Sequence, residues 1–468
     1  MFIGRKKELE TLENLYSKNQ FSMIVIYGRR RIGKSTLIKE FIKDKESIFY
    51  TSSKVGALRN QELFQQEVLK ALNPDMINAT FHTFDDVCTF ISNSVKQKIV
   101  IVIDELPYWA SEDSGMLSVL QKHIDNVWKN KNIMLILCGS SLSFMEEKVL
   151  SEKSPLFGRR TAQINLKSFD YYDSAKFVEN YSLEDKAIVY GLTSGVPKYL
   201  ESFDPNETLD DNIKRLFFDV NGYLFEEPKN LLVQEFKDVA LVNNIVEQIA
   251  NGENTLNDIS NKVHSSSEST SYVLNKLIHL DLVEKKHCIL EENNKKKTLY
   301  VLKDTMFQFW YKYIPTALSV IEVGNGFQYY DAIVKPTLHS YMGNIFEKMC
   351  QYYLLKNGTN LFHTFITSTG FWWGNQITCI NDKKTIIPTD IDVVAISSID
   401  KTAIIGECKF KNSLIDKDVY LNLLEKDSLV KGYDVTQHVF FSLSGYSEWV
   451  IENKTTDCVL LTLEDLYK

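Results

Sequence analysis

Runs of consecutive apolar residues alternate with helical apolar patterns in the N-terminal third of the chain. Residues 23–27, 99–103 and 133–137 form continuous apolar runs, which are typical of strands buried on both faces of a parallel sheet. After the first run, four apolar residues recur at the spacing of one helix face: Leu37, Ile38, Phe41 and Ile42. This order predicts an α/β fold built on a parallel sheet.

A glycine-turned segment joins the first predicted strand to its helix. It reads Gly28, Arg29, Arg30, Arg31, Ile32, Gly33, Lys34, Ser35 and Thr36. Gly28 and Gly33 allow backbone angles that let consecutive N–H groups converge on a phosphate at the positive end of the helix. Lys34 would reach the β- and γ-phosphates, and the Ser35 hydroxyl would bind Mg²⁺. The segment predicts a phosphate-binding loop, with an ordinary glycine turn as the alternative.

Two adjacent carboxylates, Asp104 and Glu105, follow the second apolar run. The carboxyl end of a parallel strand is where ligands gather in such sheets. Asp104 would hold Mg²⁺ through water, and Glu105 would orient and deprotonate the attacking water. The alternative is an acidic turn without a catalytic role.

Three further polar residues are candidates for contacting the γ-phosphate. Ser140 follows the third apolar run, whose end we expect beside Asp104. Arg159 and Arg160 precede another predicted strand, and a guanidinium stays charged and bidentate when desolvated. One of the two arginines would act as an arginine finger, in cis or from a neighbouring subunit. A plain turn serine and arginines paired with surface acids are the alternatives.

Together with two other motifs, these segments resemble a known ATPase family. The additional motifs are a G-R-x-x-E-L box at Gly4 and Arg5 and a late G-x-P segment at Gly195 and Pro197. Over residues 1–235 the chain resembles the prokaryotic ATPases near the boundary of AAA+ and STAND NTPases. The resemblance implies that Gly4 and Arg5 lie on the adenine side and that Gly195 and Pro197 close over the nucleotide. ATP is the expected nucleotide, because no N-K-x-D motif for reading guanine is present.

The middle of the chain has the order of a winged helix-turn-helix. Residues 241–249 and a third segment after Ser265 read as helices, and Thr255 starts a helix between them. Strand runs at 282–290 and 298–302 follow. The third helix offers a single lysine, Lys276, and the positive charge lies in the wing at Lys285, Lys286 and 295–297. DNA contact and packing therefore both stay open. An aromatic run at 307–311 is interpreted as a helical docking seam rather than a base-stacking platform.

Carboxylates and one lysine recur at strand spacing near the C-terminus. Residues 389–396 and 403–410 read as strands joined by a hairpin. If Ile396 lies opposite Ala403, then Asp392 falls opposite Glu407, with Lys409 on the same face. Like charges directly opposed on a sheet are destabilising, so a divalent cation is expected between them.

This layout resembles the PD-(D/E)xK nuclease superfamily, which has the restriction-endonuclease-like fold. The family pattern maps onto Glu347 on a helix, Asp392 as the metal-bridging acid, and Glu407 and Lys409 as the E-x-K pair. The resemblance implies one or two Mg²⁺ ions that polarise a scissile phosphate, with a lysine that positions water or stabilises charge. The sequence departs from the pattern at Pro388, which is displaced by one residue. The whole chain is similar to archaeal-type ATPases that carry such a C-terminal domain.

Composition limits the class of protein. The chain has 468 residues, 44% hydrophobic and 24% charged, with a net charge of −8, which argues against a globally basic nucleic-acid binder but not against a local basic face. No apolar run approaches the ~18 residues of a membrane span, and the N-terminus lacks the order of a signal peptide. We therefore expect a cytoplasmic protein without a membrane partner. Seven scattered cysteines indicate reduced core thiols rather than disulfides or zinc.

These observations predict five regions. They are a P-loop ATP-binding domain at 1–167, a helical lid at 168–236, a winged helix at 237–303, a helical connector at 304–340 and a nuclease-like α/β domain at 341–468. The predicted function is hydrolysis of Mg²⁺-ATP coupled to a C-terminal domain that acts on DNA. A STAND-like signalling switch with a non-catalytic C-terminal domain is the main alternative, and a plain transcription regulator is the third. The oligomeric state is open, a homo-oligomer included.

Overall fold

The computed structural model describes residues 2–291, 298–380 and 383–468, with the side chains of 377–380 and 383–385 left out. The chain forms two compact units. The first comprises 1–169 with 196–198, and the second comprises 170–195 with 199–468. The finer division into five regions stays a prediction.

The first unit is built on a parallel sheet of five strands in the order β2-β3-β4-β1-β5. The strands are β1 (Ser22–Tyr27), β2 (Ser47–Thr51), β3 (Ile99–Asp104), β4 (Ile133–Gly139) and β5 (Ala162–Asn165). Every residue of β1, β3 and β4 is buried. The three apolar runs are thus confirmed as buried strands of a parallel sheet.

Helices flank this sheet. They are α1 (Lys6–Ser17), α2 (Lys34–Ile42), α3 (Ala57–Leu72), α4 (Phe84–Ser94), α5 (Leu106–Ala110), α6 (Met116–Asn126) and α7 (Leu142–Phe144). Leu37, Ile38 and Phe41 of α2 pack with Leu12 of α1 in the core, which is the helix face that the apolar spacing predicts. Trp109 of α5 packs against Phe64 of α3. The predicted α/β core is confirmed.

The first part of the second unit is helical. Its elements are α8 (Tyr171–Ser174), α9 (Leu183–Thr193), the end of α10 (Pro197–Leu200), whose first two residues belong to the first unit, α11 (Leu209–Phe217) and α12 (Glu227–Glu235). Side-chain caps fix two of the helix starts, because Ser182 accepts a hydrogen bond from the Asp185 N–H and Thr208 accepts one from the Asp211 N–H. Residues 171–235 are thus largely helical, and the lid assigned to 168–236 stays a prediction.

Three helices and a two-stranded antiparallel sheet follow. They are α13 (Val239–Ala250), α14 (Leu256–Lys262), α15 (Ser267–His279), β6 (Val283–Lys286) and β7 (Leu299–Leu302). Thr255 caps α14 by accepting a hydrogen bond from the Asp258 N–H, as its position predicts. Three of the predicted wing lysines, 295–297, lie outside the described residues.

The predicted strand at 282–290 is too long. The strand β6 ends at Lys286, and the next residues turn away from the hairpin. Cys288 and Ile289 are buried instead in the hydrophobic core of the C-terminal sheet, and the Ile289 N–H donates to Phe371 O at 3.1 Å. These two side chains are thus buried against another sheet instead of extending β6.

Long helices connect this region to the C-terminal sheet. They are α16 (Thr305–Glu322), α17 (Gly326–Tyr329) and α18 (Leu338–Phe362). The rings of Phe307, Phe309, Trp310 and Tyr311 on α16 are buried, and Trp310 Nε1 donates to Phe225 O at 2.6 Å. The aromatic run is thus a packing seam, as predicted. None of the described helices is long and apolar enough to cross a membrane.

The C-terminal sheet is mixed, with the strand order β12-β11-β10-β9-β8. Its strands are β8 (Ser368–Ile380), β9 (Lys383–Ser397), β10 (Thr402–Lys409), β11 (Asp434–Ser442) and β12 (Cys458–Thr462). Strands β8 to β10 are antiparallel, and β10 to β12 are parallel. Ile396 lies opposite Ala403, so the predicted hairpin register is confirmed. The remaining helices are α19 (Lys417–Leu424), α20 (Glu448–Asn453) and α21 (Leu463–Leu466).

The six cysteines that the structure describes in full are all buried as free thiols: Cys88, Cys138, Cys288, Cys350, Cys408 and Cys458. This agrees with the prediction of reduced core thiols. The side chain of Cys379 lies outside the described part.

Candidate functional site

The glycine-turned segment forms a tight loop between β1 and α2. A Cβ atom on Gly28 would lie 2.4 Å from Leu166 O, so only glycine fits there. Gly33 has a φ of 86° and precedes the first residue of α2, and Arg31 has a φ of 67°. The loop therefore curls its backbone at the N-terminus of α2, the geometry that a phosphate requires.

Lys34 and Ser35 lie at the start of α2 and face the inside of this loop and the end of β3. Lys34 is 5% exposed, and its Nζ donates to Gly28 O and Arg29 O, each at 3.0 Å. Burial lowers the pKa of Lys34, although Glu105 and Asp104 nearby act in the opposite direction. Ser35 Oγ donates to Asp104 Oδ2 at 2.6 Å. The predicted lysine, serine and aspartate thus meet at one point.

Glu105 occupies a strained position at the end of β3. Its φ is 50°, which residues with a Cβ rarely adopt, and its N–H donates to Asp104 Oδ1 at 2.9 Å. Ser140 Oγ donates to Glu105 Oε2 at 2.7 Å. Strand β4 lies between β3 and β1, as expected, so Ser140 reaches the same edge of the sheet. A carboxylate held in this way can accept a proton from water.

Two other predicted nucleotide contacts, Arg5 and Pro197, lie next to the loop. Arg5 is buried, and its Nη2 donates to Ile32 O at 3.0 Å. This hydrogen bond stabilises the backbone of the loop. Pro197 Cγ is 3.8 Å from where a Cβ on Gly33 would stand, and the Lys198 N–H donates to Arg31 O at 3.3 Å. The remaining predicted residues differ in burial: Gly4 is half-buried with a φ of 65°, Arg29 is buried, Thr36 is exposed, and Gly195 belongs to the second unit with a φ of 65°.

Tyr108 was missed by sequence reasoning. Arg30 Nη2 donates to Tyr108 OH at 2.8 Å, which ties the phosphate loop to α5 just after Glu105. A tyrosine three residues after an acid pair carries no motif. Only the fold brings it to the loop.

The two candidate finger arginines differ in their surroundings. Arg159 Nε and Nη2 donate to Asp125 Oδ1 and Oδ2 at 2.8 and 2.6 Å, a bidentate pair. The alternative, an arginine paired with a surface acid, therefore describes Arg159. Arg160 is exposed, with its Nη1 3.5 Å from Leu150 O. The arginine-finger role stays a prediction for both residues.

A second polar cluster lies where β9 and β10 meet. The confirmed register brings Asp392 beside the Glu407–Lys409 segment, and the Cys408 N–H donates to Asp392 Oδ2 at 2.9 Å. Lys409 Nζ is 3.7 Å from Asp392 Oδ2 and forms an ion pair with Glu407. Two carboxylates and one lysine therefore share one side of the sheet.

Burial makes the charged forms of Asp392 and Glu347 unfavourable. Burial and the Glu407 carboxylate raise the pKa of Asp392 to about 6. Glu347 on α18 is the third predicted acid, and burial and Asp392 raise its pKa to about 7. Gln351, one turn further along α18, donates to Asp392 O at 3.0 Å. This is an electrostatic setting that a divalent cation would relieve.

Two lysines at this cluster were missed as site residues. Lys426, after α19, is 5% exposed, donates to Asp390 O at 2.9 Å and lies 3.8 Å from Glu407 Oε2. Lys286, the last residue of β6, has its Nζ 3.6 Å above the Phe371 ring. Burial lowers the pKa of Lys286, while the nearby Glu347 acts to raise it. No spacing in the sequence points to either lysine.

Family models match two parts of the chain. One, described as an ATPase domain predominantly from Archaea, matches residues 2–203. The other, described as archaeal and bacterial proteins of unknown function, matches residues 310–422. Both descriptions are of sequence families, and the second names no activity.

Relatives and solved structures resemble the chain over different lengths. The chain is 33% identical to the Methanocaldococcus jannaschii protein named MJECL04, over 99% of this chain and 100% of that protein. A second protein of that organism, the ATP-binding protein MJ0074, is 24% identical over 42% of this chain and 68% of its own length. The Walker-type ATPase of Pyrococcus abyssi superposes with a TM-score of 0.48 and 19% identity, over 66% of this chain and 96% of that one. The ORC2 protein of Aeropyrum pernix gives a TM-score of 0.45 and 15% identity, over 68% and 94%.

Proposed function

The chain belongs to the family of its full-length Methanocaldococcus jannaschii relative, with an ATPase domain of the predominantly archaeal type, and from that premise we propose a mechanism for ATP hydrolysis. The loop from Gly28 to Thr36 binds the phosphates and Lys34 contacts the β- and γ-phosphates. The observation that carries this proposal is the 2.6 Å hydrogen bond from Ser35 Oγ to Asp104 Oδ2. It joins the two groups that would hold Mg²⁺, which would neutralise charge on the phosphates.

Glu105 is the proposed general base. Its carboxylate would accept the proton of the water that attacks the γ-phosphate, and the Ser140 hydroxyl holds that carboxylate in place. Lys34 now donates to two carbonyls of its own loop, and it would transfer these hydrogen bonds to phosphate oxygens when ATP binds. Arg160, which is exposed, is the better candidate of the two arginines for contacting a γ-phosphate from a neighbouring subunit.

For the C-terminal sheet we propose a metal-dependent phosphodiesterase site of the PD-(D/E)xK type. Asp392, Glu407 and Glu347 would hold Mg²⁺, and Lys409 would position water or stabilise charge on the scissile phosphate. The supporting observation is the 3.7 Å contact between Lys409 Nζ and Asp392 Oδ2, on strands whose register brings Glu407 alongside. The elevated pKa values of Asp392 and Glu347 support a cation at this point.

DNA is the proposed substrate, and the proposed contact is the β6–β7 hairpin of a winged helix. Lys285 is exposed, and Lys286 is close enough to Glu347 to act on its pKa, so the hairpin adjoins the acid cluster. Helix α15 is a weaker candidate, because its Lys276 lies 4.6 Å over the Tyr272 ring. A duplex that reaches the acids would therefore meet these wing lysines.

A cleavage assay tests the proposal. Plasmid and oligonucleotides are incubated with wild type, with Asp392→Ala and with a control variant. The control is Asp434→Asn, which changes an exposed aspartate on β11. Each mixture contains Mg²⁺ or Mn²⁺ with ATP or a non-hydrolysable analogue. We expect cleavage by wild type and the control and a loss of about 10²-fold or more in Asp392→Ala. Equal cleavage by all three would exclude this site.

A second function is favoured by the ion pairs of the same cluster. Lys409 and Lys426 both lie close to Glu407, so two ammonium groups already balance Asp392 and Glu407. This supports a STAND-like switch in which the nucleotide controls assembly and the C-terminal domain is not catalytic. Such a protein would show nucleotide-dependent oligomerisation and slow hydrolysis, with no metal-dependent cleavage in the same assay.

A further inference from the structure

A second cluster of metal-ligating side chains lies on strands β11 and β12 of the C-terminal sheet. His438 on β11 pairs directly with Cys458, the first residue of the parallel strand β12, and Asp457 precedes it. One ligand atom of each of these three side chains lies within 4.8 Å of the other two. The register of two parallel strands therefore brings a nitrogen, an oxygen and a sulfur ligand together.

The imidazole of His438 is held on both sides by carboxylates. Nδ1 is 3.0 Å from Asp457 Oδ2, and Nε2 is 2.8 Å from Asp427 Oδ1. A histidine that binds a metal through one nitrogen usually donates its other N–H to a carboxylate, which fixes the tautomer. Asp427 occupies that supporting position, which leaves Nδ1 as the ligand atom beside Asp457 and Cys458.

The sulfur of Cys458 is surrounded by hydrogen-bond donors. Thr455 Oγ1 donates to Sγ at 3.1 Å, and Tyr420 OH donates to it at 3.2 Å. Sulfur is a preferred ligand atom of zinc-class ions, and these contacts fix the position of Sγ at the start of β12.

Charge and access fit a cation. Two carboxylates and one sulfur surround the imidazole, and the side chains of His438 and Cys458 are buried. Asp427 and Thr455 are exposed, and Asp457 is half-buried, so an ion can enter from the surface. In a tetrahedral site the ligand atoms would stand about 3.3–3.8 Å apart. The three side chains therefore need to move by only about 1 Å to enclose an ion.

We propose that His438, Asp457 and Cys458 form a binding site for a divalent transition-metal ion of the zinc class. Their Nδ1, carboxylate oxygen and Sγ are the ligands, and water takes the fourth position. A nitrogen, oxygen and sulfur set favours such an ion over Mg²⁺, which the all-carboxylate cluster at Asp392 suits. The site is independent of the proposed nuclease activity.

Cobalt substitution of the full-length protein tests this site, because a sulfur–cobalt bond has its own absorption. The protein is stripped with a chelator and titrated with Co²⁺ and then Zn²⁺. We expect a thiolate-to-cobalt charge-transfer band in the near ultraviolet that saturates at about one Co²⁺ per chain, and loss of that band when Zn²⁺ displaces Co²⁺. Binding at the carboxylate cluster would give no such band.

Three variants and one control complete the test. Cys458→Ala should lose the band, while Cys288→Ala, another buried thiol of the same core, should keep it. Asp457→Asn changes a proposed ligand that lies nearer the surface, and this variant should bind Co²⁺ at least ~10-fold more weakly. Asp427→Asn changes the supporting carboxylate, so it should weaken binding ~10–100-fold while the band remains. The proposal is wrong if wild type shows no band, or if Cys458→Ala or Asp457→Asn binds Co²⁺ with the wild-type spectrum and affinity.

Discussion

Ser35 Oγ and Asp104 Oδ2 lie 2.6 Å apart although 69 residues separate them in the chain. The contact exists because β1 and β3 are parallel strands that end at the same edge of the sheet, with β4 between them. Glu105, Lys34 and Ser140 lie at this edge as well. The contact lies at the centre of the proposed ATP site, and the first two predictions concern its immediate neighbours.

Lys34→Ala should abolish ATP hydrolysis. The side chain is buried and its ammonium group would be the closest positive charge to the transferred phosphate, so we expect a loss of about 10²-fold or more in kcat. Phosphate release is the measurement. Lys39→Ala, an exposed lysine on the same helix, should keep the wild-type rate. A Lys34→Ala protein that hydrolyses ATP at the rate of this control would contradict the site.

Glu105→Gln should separate nucleotide binding from hydrolysis. Glutamine keeps the shape of the side chain and can still accept from Ser140, but it cannot take a proton from water. We expect kcat to fall by about 10²–10⁴-fold with little change in the Kd for ATP. Glu112→Gln, an exposed acid just after α5, is the control. An equal loss of affinity and rate in Glu105→Gln would assign the residue to binding instead.

Local sequence patterns predicted most of the fold and part of the candidate site. Continuous apolar runs identify β1, β3 and β4, because strands buried on both faces have few polar residues. The short connection between Ile396 and Ala403 leaves a hairpin as the natural pairing, and that register decides which side chains face Asp392. Both inferences depend on residues that are close in sequence.

The ion-pair partners of individual charged residues could not be predicted from the sequence. Lys426 and Asp427 are adjacent in a loop after α19, yet the first contacts Glu407 and the second contacts His438. Nothing in their spacing distinguishes them from other solvated charges. The same holds for Asp125, which holds Arg159, because the partner of an arginine is chosen by the packing of distant segments.

Arg159→Ala should lower stability at neutral pH and leave catalysis almost unchanged. We expect ATP hydrolysis to stay nearly unchanged, whereas loss of an arginine finger would cost about 10³–10⁵-fold. The exposed ion pair with Asp125 contributes at most about 1 kcal/mol to the free energy of unfolding. Arg160→Ala is the comparison variant. The rate of phosphate release is measured at increasing protein concentration, because a finger from a neighbouring subunit acts only when subunits associate. A severe loss of activity in Arg159→Ala alone would restore it as the finger.

The sign of the pH dependence follows from Asp125. The hydrogen bonds from Arg159 hold the pKa of Asp125 below its usual value. Stabilisation by the pair is therefore present above the unfolded pKa of about 4 and is lost as the pH falls through the lower folded value. The difference in free energy of unfolding between wild type and Arg159→Ala should shrink as the pH is lowered from 7 to 3. A difference that grows in acid would contradict this assignment.

Ile289→Ala should loosen the C-terminal sheet, although Ile289 follows the β6 strand of the predicted winged helix. The side chain is 7% exposed, it packs in the core of that sheet, and its N–H donates to Phe371 O on β8. Truncating this side chain leaves a cavity, which should lower the free energy of unfolding by about 2–5 kcal/mol. Hydrogen exchange should therefore become faster at β8 and β9 as well as near β6, since both segments share one core. Ile399→Ala, a 69% exposed residue in the hairpin loop after β9, should change neither. If exchange rose near β6 alone, the three-helix region and the C-terminal sheet would be independent folding units.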